Sequence, residues 1–245
     1  MTTGRIDVHS HLLPGLDDGC RTVEESIACA KLMVESGYTH SFCTPHIWPN
    51  LPDNSVAKIP QQVAVLQVAL NGAGVPLKLI PGGEINLRAD TPWTPVEALV
   101  SYGMLRKFVL IDLWAERIPP FFEPAIKWFQ ALNFQVVLAH PERMAAVQRQ
   151  PELADYFAEI GLLLQGNLQC FSDPVGSPTR TTVERYLLEG RYFMLGSDLH
   201  NLASLPMRLE GLRRAIGLAG EKTVNHLTVE NPRRLLPDMP SQRPA

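Results

Sequence analysis

Cysteine is scarce in this chain, and its four copies are scattered. Cys20, Cys29, Cys43 and Cys170 form no CxxC pair, which argues against a disulfide framework or a zinc ribbon. They read as reduced thiols, in the core or at the surface of a cytoplasmic protein. None has an arginine six residues on. Ser26, Glu35, Pro49 and Gly176 stand there instead, which excludes the phosphate loop of a cysteine-dependent tyrosine phosphatase. No GxxxxGK[ST] occurs, which argues against a P-loop kinase or ATPase. No apolar run reaches the roughly 20 residues needed to cross a bilayer, and the first residues run straight into Ile6-Asp7-Val8 without a signal-peptide pattern. Charge of one sign is lacking too. A formal net charge of −3, a pI near 6.2 and no basic stripe give no long-range attraction for nucleic acid or an anionic membrane.

What is present is an ordinary globular composition, 45% apolar and 19% charged, in 245 residues. That length suits one large α/β domain. Short apolar runs rich in β-branched residues alternate with helical spacing. Strands are expected over residues 5–9, 40–44, 78–81, 108–113, 135–139, 161–165 and 192–196, seven in all. Val23, Ile27, Ala30 and Val34 share a helix face, opened by Thr22 with Glu25 as a capping box. Val63, Leu66 and Leu70 mark a second helix. Pro178 behind Ser177 opens another that runs to Leu188, and Leu209, Leu212 and Ile216 mark a late one. Such alternation implies a parallel sheet, closed into a barrel or left open. One domain over residues 1–236 is expected, with 237–245, which hold three prolines, as a flexible C-terminal tail.

The residue types at the strand ends carry the chemistry. They read His9-Ser10-His11, Thr44-Pro45-His46, Gly83-Glu84, Asp112, His140-Pro141-Glu142-Arg143, Gln165-Gly166-Asn167 and Ser197-Asp198-Leu199-His200. Five of the seven histidines belong to this set, and in a parallel barrel all these ends share one face. On an extended chain both side chains of an HxH point to the same side, and Asp198 with His200 repeats the spacing. His and carboxylate ligands suit divalent ions, so a metal cluster is expected. Asp112 lies within Val109-Leu110-Ile111-Asp112-Leu113, where a carboxylate is costly unless paired or metal-bound. Asp17 and Asp18 also read as an ordinary turn in Pro14-Gly15-Leu16-Asp17-Asp18-Gly19. His40 and His226 fall outside the pattern and carry no functional expectation.

These segments, from HSHLLPGLDDG through TPH and HPER to GSDLHN, resemble the polymerase-and-histidinol-phosphatase (PHP) family. More narrowly, they are similar to its bacterial tyrosine-protein phosphatases of capsule and exopolysaccharide operons, over residues 5 to about 235. The resemblance implies a distorted seven-stranded (β/α)7 TIM-like barrel of the PHP type. It implies two or three divalent metal ions, manganese first, with iron or zinc as alternatives. Carried over by position, His9, His11, Glu84 and Asp198 hold one ion. Glu84, Asp112 and His140 hold a second, and Asp18, His46 and His200 a third. The implied enzyme is a phosphoric monoester hydrolase, a protein-tyrosine phosphatase. Its substrate is the phosphotyrosine tail of a bacterial tyrosine kinase that regulates polysaccharide export. Two positions depart from the family pattern: Asp112 stands where Glu is usual, and Leu205 where a second phosphate-binding arginine is usual.

The mechanism expected is in-line attack on phosphorus by a hydroxide bridging two ions. Arg143 offers a planar fork for the phosphoryl oxygens, and Arg208 is a candidate to replace the missing second arginine. No general acid is identifiable. A small-molecule phosphomonoesterase acting on a histidinol-phosphate-like substrate is the second enzyme reading. A regulatory module on the same fold with weakened catalysis is the non-enzymatic one.

Overall fold

A computed structural model describes residues 4–236. Residues 237–245, read from sequence as a tail, lie outside the described residues. Nine short strands occur in it: β1 (Arg5–Asp7), β2 (Tyr38–Cys43), β3 (His46–Ile47), β4 (Lys78–Pro81), β5 (Glu84–Asn86), β6 (Phe108–Asp112), β7 (Gln135–Ala139), β8 (Leu163–Asn167) and β9 (Met194–Gly196). Every ladder is parallel. One sheet has the order β1-β2-β4 and the other β3-β5-β6-β7-β8-β9.

Each of the seven expected runs overlaps a strand, although β2 begins at Tyr38, before its run, and β8 continues to Asn167, beyond its run. The two extra strands arise because the second and third runs are interrupted and then resume beside each other. Pro45, which has no N–H to donate, separates β2 from β3, and Gly82-Gly83 separates β4 from β5. A side chain at Gly83 would meet Val100 at 2.7 Å and Ile47 at 2.9 Å, so only glycine fits there. Beyond β1 and β9 the chain ends meet. Ser10 bridges to Leu199, His11 N donates to Leu199 O at 2.7 Å, and Asp198 N donates to His9 O at 2.8 Å.

Side chains along the strands alternate between two buried environments. Ile6, Val8, Phe42, Ile80, Leu110, Val137, Ala139 and Met194 form one apolar cluster. Their neighbours Val109, Ile111, Val136, Leu138, Leu164 and Leu195 belong to a larger one that includes the helices. The sheet is therefore buried on both faces, which is why its strands read as continuous apolar runs.

The helices are α1 (Val23–Glu35), α2 (Lys58–Gly72), α3 (Phe122–Ala131), α4 (Ala145–Arg149), α5 (Leu153–Glu159), α6 (Pro178–Leu188), α7 (Leu205–Ala219) and α8 (Glu221–Asn225). Thr22 caps α1 by accepting Glu25 N at 3.2 Å, while the Glu25 carboxylate reaches back to Arg21 N at 2.9 Å. Ser177 caps α6 by accepting Arg180 N at 3.3 Å. In α3, Phe122, Ala125, Ile126 and Phe129 are wholly buried on one stripe. Truncating Phe122 or Phe129 to alanine would cost about 3–5 kcal/mol. No helix among the described residues is long and apolar enough to cross a membrane.

Candidate metal centre

The segments following the strands bring the expected ligands together. His9 Nδ1 pairs with Gln165 Oε1 at 2.8 Å, and the Gln165 amide nitrogen donates to Gly166 O at 2.7 Å. The oxygen is therefore the acceptor, and His9 carries its proton on Nδ1. His11 Nδ1 donates in the same way to Asp17 Oδ2 at 2.7 Å. Both Nε2 atoms then face each other, 3.2 Å apart. Glu84 Oε2 lies 3.3 and 3.6 Å from them, and Asp198 Oδ1 lies 3.5 and 3.3 Å away. Two nitrogen lone pairs and two carboxylate oxygens at this spacing repel one another unless a proton or a cation sits among them. A hydrogen bond on the outer ring nitrogen is the arrangement that orients a histidine ligand.

Two further groups adjoin this one. His140 Nε2 is 3.0 Å from Glu84 Oε1, and His9, His140 and Asp198 have ligand atoms within 4.8 Å of one another. His46 and His200 each place Nε2 3.4 Å from Asp18 Oδ1, and His11 completes that group. His46 Nδ1 lies 2.8 Å from Glu84 Oε2. Both atoms are buried without a hydrogen bond of acceptable geometry. An orphaned carboxylate oxygen ringed by imidazoles is what a cation ligand requires and what a purely structural network avoids. The donor set of imidazoles and carboxylates fits divalent ions.

Electrostatics agree with the geometry. Burial disfavours charge on His9, yet the Glu84 and Asp198 carboxylates outweigh it and raise its pKa. His11 is raised further, against burial, by Asp17 and Asp198. Burial likewise opposes ionisation of Glu84 and Asp198, but the surrounding histidines hold both well below the usual carboxylate range. The carboxylates thus draw positive charge into a buried site, and a divalent ion would displace the protons that otherwise supply it. His140 and Asp198 both adopt left-handed backbone, with φ of 34° and 52°. Non-glycine residues hold such conformations at a cost of about 1–3 kcal/mol each.

Asp112 lies at its expected strand end. It is fully buried beside Glu84 and His140 but belongs to none of the three ligand groups. Asn86 donates to its Oδ1 at 3.2 Å, and Trp114 Nε1 donates to its Oδ2 at 2.9 Å. Burial, together with the Glu84 charge, pushes its pKa up to about 6. Arg143 Nη1 donates to Asp198 Oδ2 at 2.9 Å, beside Asn167 Nδ2 at 2.8 Å, and its guanidinium lies over the Trp114 ring. Arg208 sits in α7, 4% exposed, donating to the carbonyls of Asp198 (2.8 Å) and Ser204 (3.2 Å). In this position it braces the Asp198 backbone.

Several contributors were invisible to spacing arguments. Asp17, read as a turn residue, orients His11 and also accepts His46 N at 2.9 Å. Gln165 and Asn167 orient His9 and Asp198. Their signal was the one used for Asp112, a polar side chain in an apolar strand. Asp7 clamps β1 to the last strand end by accepting Ser197 N at 2.8 Å and Ser197 Oγ at 2.6 Å. Glu142 is a buried tie, accepting Asn167 N at 2.6 Å and Tyr192 Oη at 2.9 Å. His40 and His226 stay outside the cluster, bonded to Thr39 and Glu230. All four cysteines are buried free thiols. A surface depression of about 740 Å³ around Glu116, Arg149 and Leu153 contains none of the ligand groups.

Comparison with known proteins bears on the family and the fold. Tyrosine-protein phosphatase YwqE of Bacillus subtilis is 25% identical over 197 residues, covering 80% of this chain and 78% of the relative. Tyrosine-protein phosphatase CpsB of Streptococcus agalactiae is 24% identical over 245 residues, covering 94% and 98%. Among solved structures, one described with YwqE and the Streptococcus pneumoniae CpsB as metal-dependent tyrosine phosphatases superposes with a TM-score of 0.84. It has 24% identity and covers 94% of each chain, a likeness that establishes the fold. The family model for capsular polysaccharide synthesis, CpsB/CapC, matches residues 5–237, and the chain belongs to that family.

Proposed function

We propose that this chain is a metal-dependent protein-tyrosine phosphatase that dephosphorylates the tail of a bacterial tyrosine kinase controlling capsular or exopolysaccharide synthesis. Membership of the CpsB/CapC family supports the reading, as do relatives named tyrosine-protein phosphatases. The observation that carries it is the buried pair of Nε2 atoms facing each other 3.2 Å apart between Glu84 and Asp198.

His9, His11, Glu84 and Asp198 would hold one ion, and His140 with Glu84 a second, with Asp112 at its margin. Asp18, His46 and His200 would hold a third. Manganese is the first choice, with iron or zinc as alternatives. Ions held there supply positive charge that acidifies water and neutralises phosphoryl oxygens. Gln165 and Asp17 fix the two histidine rings, Arg208 and Asn167 fix Asp198, and Arg143 presents its remaining N–H groups to the anion. A single domain closed as a (β/α)7 barrel is part of the proposal. The resumption of β2 in β3 and of β4 in β5 supports it, together with the bridge between Ser10 and Leu199. A cytoplasmic location is part of the proposal, supported by the four free thiols.

Turnover of a phosphotyrosine peptide, set against histidinol phosphate, tests the reading with metal content measured in the same samples. Metal-dependent preference for the peptide is expected. Preference for histidinol phosphate would move the chain to the small-molecule reading. Full metal loading without turnover of either would indicate a regulatory module.

A further inference from the structure

We propose that Trp114 is the platform on which the aromatic ring of an aryl phosphate monoester lies while its phosphoryl group occupies the cluster; this rests on the phosphatase reading above. Trp114 is 57% exposed, yet it is not a free surface side chain. Its indole N–H is held by Asp112 Oδ2 at 2.9 Å, one ring face is covered by the Arg143 guanidinium at 4.7 Å, and its ring centroid lies 6.0 Å from that of His140. A candidate ligand, the adjoining buried carboxylate and the anion-binding arginine therefore all fix the same indole. An aromatic side chain immobilised before binding loses little freedom when a ligand stacks on it.

The surroundings fit a planar apolar group joined to an anion. Trp114 walls two depressions. One, of about 380 Å³, is completed by Leu87, Leu113 and Phe121. The other, of about 170 Å³, is completed by Arg143, Asn167 and Thr179. The guanidinium that reaches Asp198 thus also borders the surface where the leaving group would lie. Asp112 has a part in this arrangement. Both its oxygens are engaged, by Asn86 and by Trp114, so the short carboxylate at this strand end fixes the indole.

Calorimetric binding of phenylphosphonate and methylphosphonate to the metal-loaded wild type, Trp114→Ala and Trp114→Phe tests the platform without depending on turnover. Aromatic contact predicts a phenyl preference of about tenfold in the wild type. That preference, read as the ratio of the two affinities at matched metal content, is expected to fall to within about twofold in Trp114→Ala and to persist in Trp114→Phe. In hydrolysis, Trp114→Ala should lower kcat/KM for phosphotyrosine several-fold more than for an alkyl phosphate. No phenyl preference in the wild type, or a preference that survives Trp114→Ala, would overturn the platform. Equal loss of both phosphonates would overturn it in favour of a purely structural role for Trp114. A wild type that binds phenylphosphonate with the expected preference but turns over no monoester would support the platform and sink the phosphatase reading.

Discussion

Replacing Asp17 with Asn separates a ligand-orienting carboxylate from an ordinary turn residue. The side chain is 1% exposed and accepts three hydrogen bonds, from His11 Nδ1 at 2.7 Å, His46 N at 2.9 Å and Gly19 N at 3.0 Å. Burial alone would raise its pKa, but the His11 contact and the two amide donors overcome this and hold it at about 2, below the ordinary 3.8. A folded-state pKa below the unfolded one means stability that is present above the unfolded value and lost as pH falls through the folded one. The worth of that shift at neutral pH is about 2.5 kcal/mol. Asp17→Asn turns one accepting oxygen into a donor facing donors, so metal-stripped protein should lose about 2.5 kcal/mol at pH 7 and nearly as much at pH 5. The gap should shrink to roughly half by pH 3. Urea unfolding at the three pH values reads it directly. The variant should also bind metal about 10–100-fold more weakly, because His11 loses its orienting partner. A variant as stable as the wild type at pH 7, or a gap that does not narrow in acid, would refute the role assigned to Asp17.

Three further outcomes follow from the same geometry. His9→Ala or Asp198→Ala should reduce bound metal and abolish phosphatase activity; normal turnover by a metal-poor variant would count against the cluster. Arg143→Ala should weaken inorganic phosphate as a product inhibitor and raise KM more than it lowers kcat. Unchanged constants would leave Arg143 a structural partner of Asp198 and Trp114. Replacing all four buried cysteines together, with serine or alanine, should preserve kcat per folded molecule, and vanadate should still inhibit. Loss traced to one thiol would revive a covalent mechanism.

Much of the architecture was legible because the β-branched runs and helical stripes obey two different periods, and burial on both sheet faces made the strands conspicuous. What the sequence concealed was local. Pro45 and the Gly82-Gly83 pair each interrupt a run that then resumes in the neighbouring sheet, and no periodicity marks such a break. Helix α3 carries a buried stripe but follows Pro119-Pro120, where turn signals dominate. The candidate ligands stood out because histidines and carboxylates rarely cluster at strand ends. Gln165 and Asn167 stood in the strand-end set without a role and Asp17 read as a turn residue, since their hydrogen-bond partners are fixed only by the fold. The Asp112 side chain shows the limit most clearly. Sequence placed a buried carboxylate correctly at the strand end, and only the fold reveals that Asn86 and Trp114 occupy both its oxygens.

Metal stoichiometry measured alongside turnover is the most direct test of the central claim. Purified chain assayed by elemental analysis should carry two or three divalent ions per molecule. Exhaustive chelation should abolish phosphotyrosine hydrolysis, and re-addition of manganese should restore it. Full hydrolysis by protein stripped of metal would contradict the account.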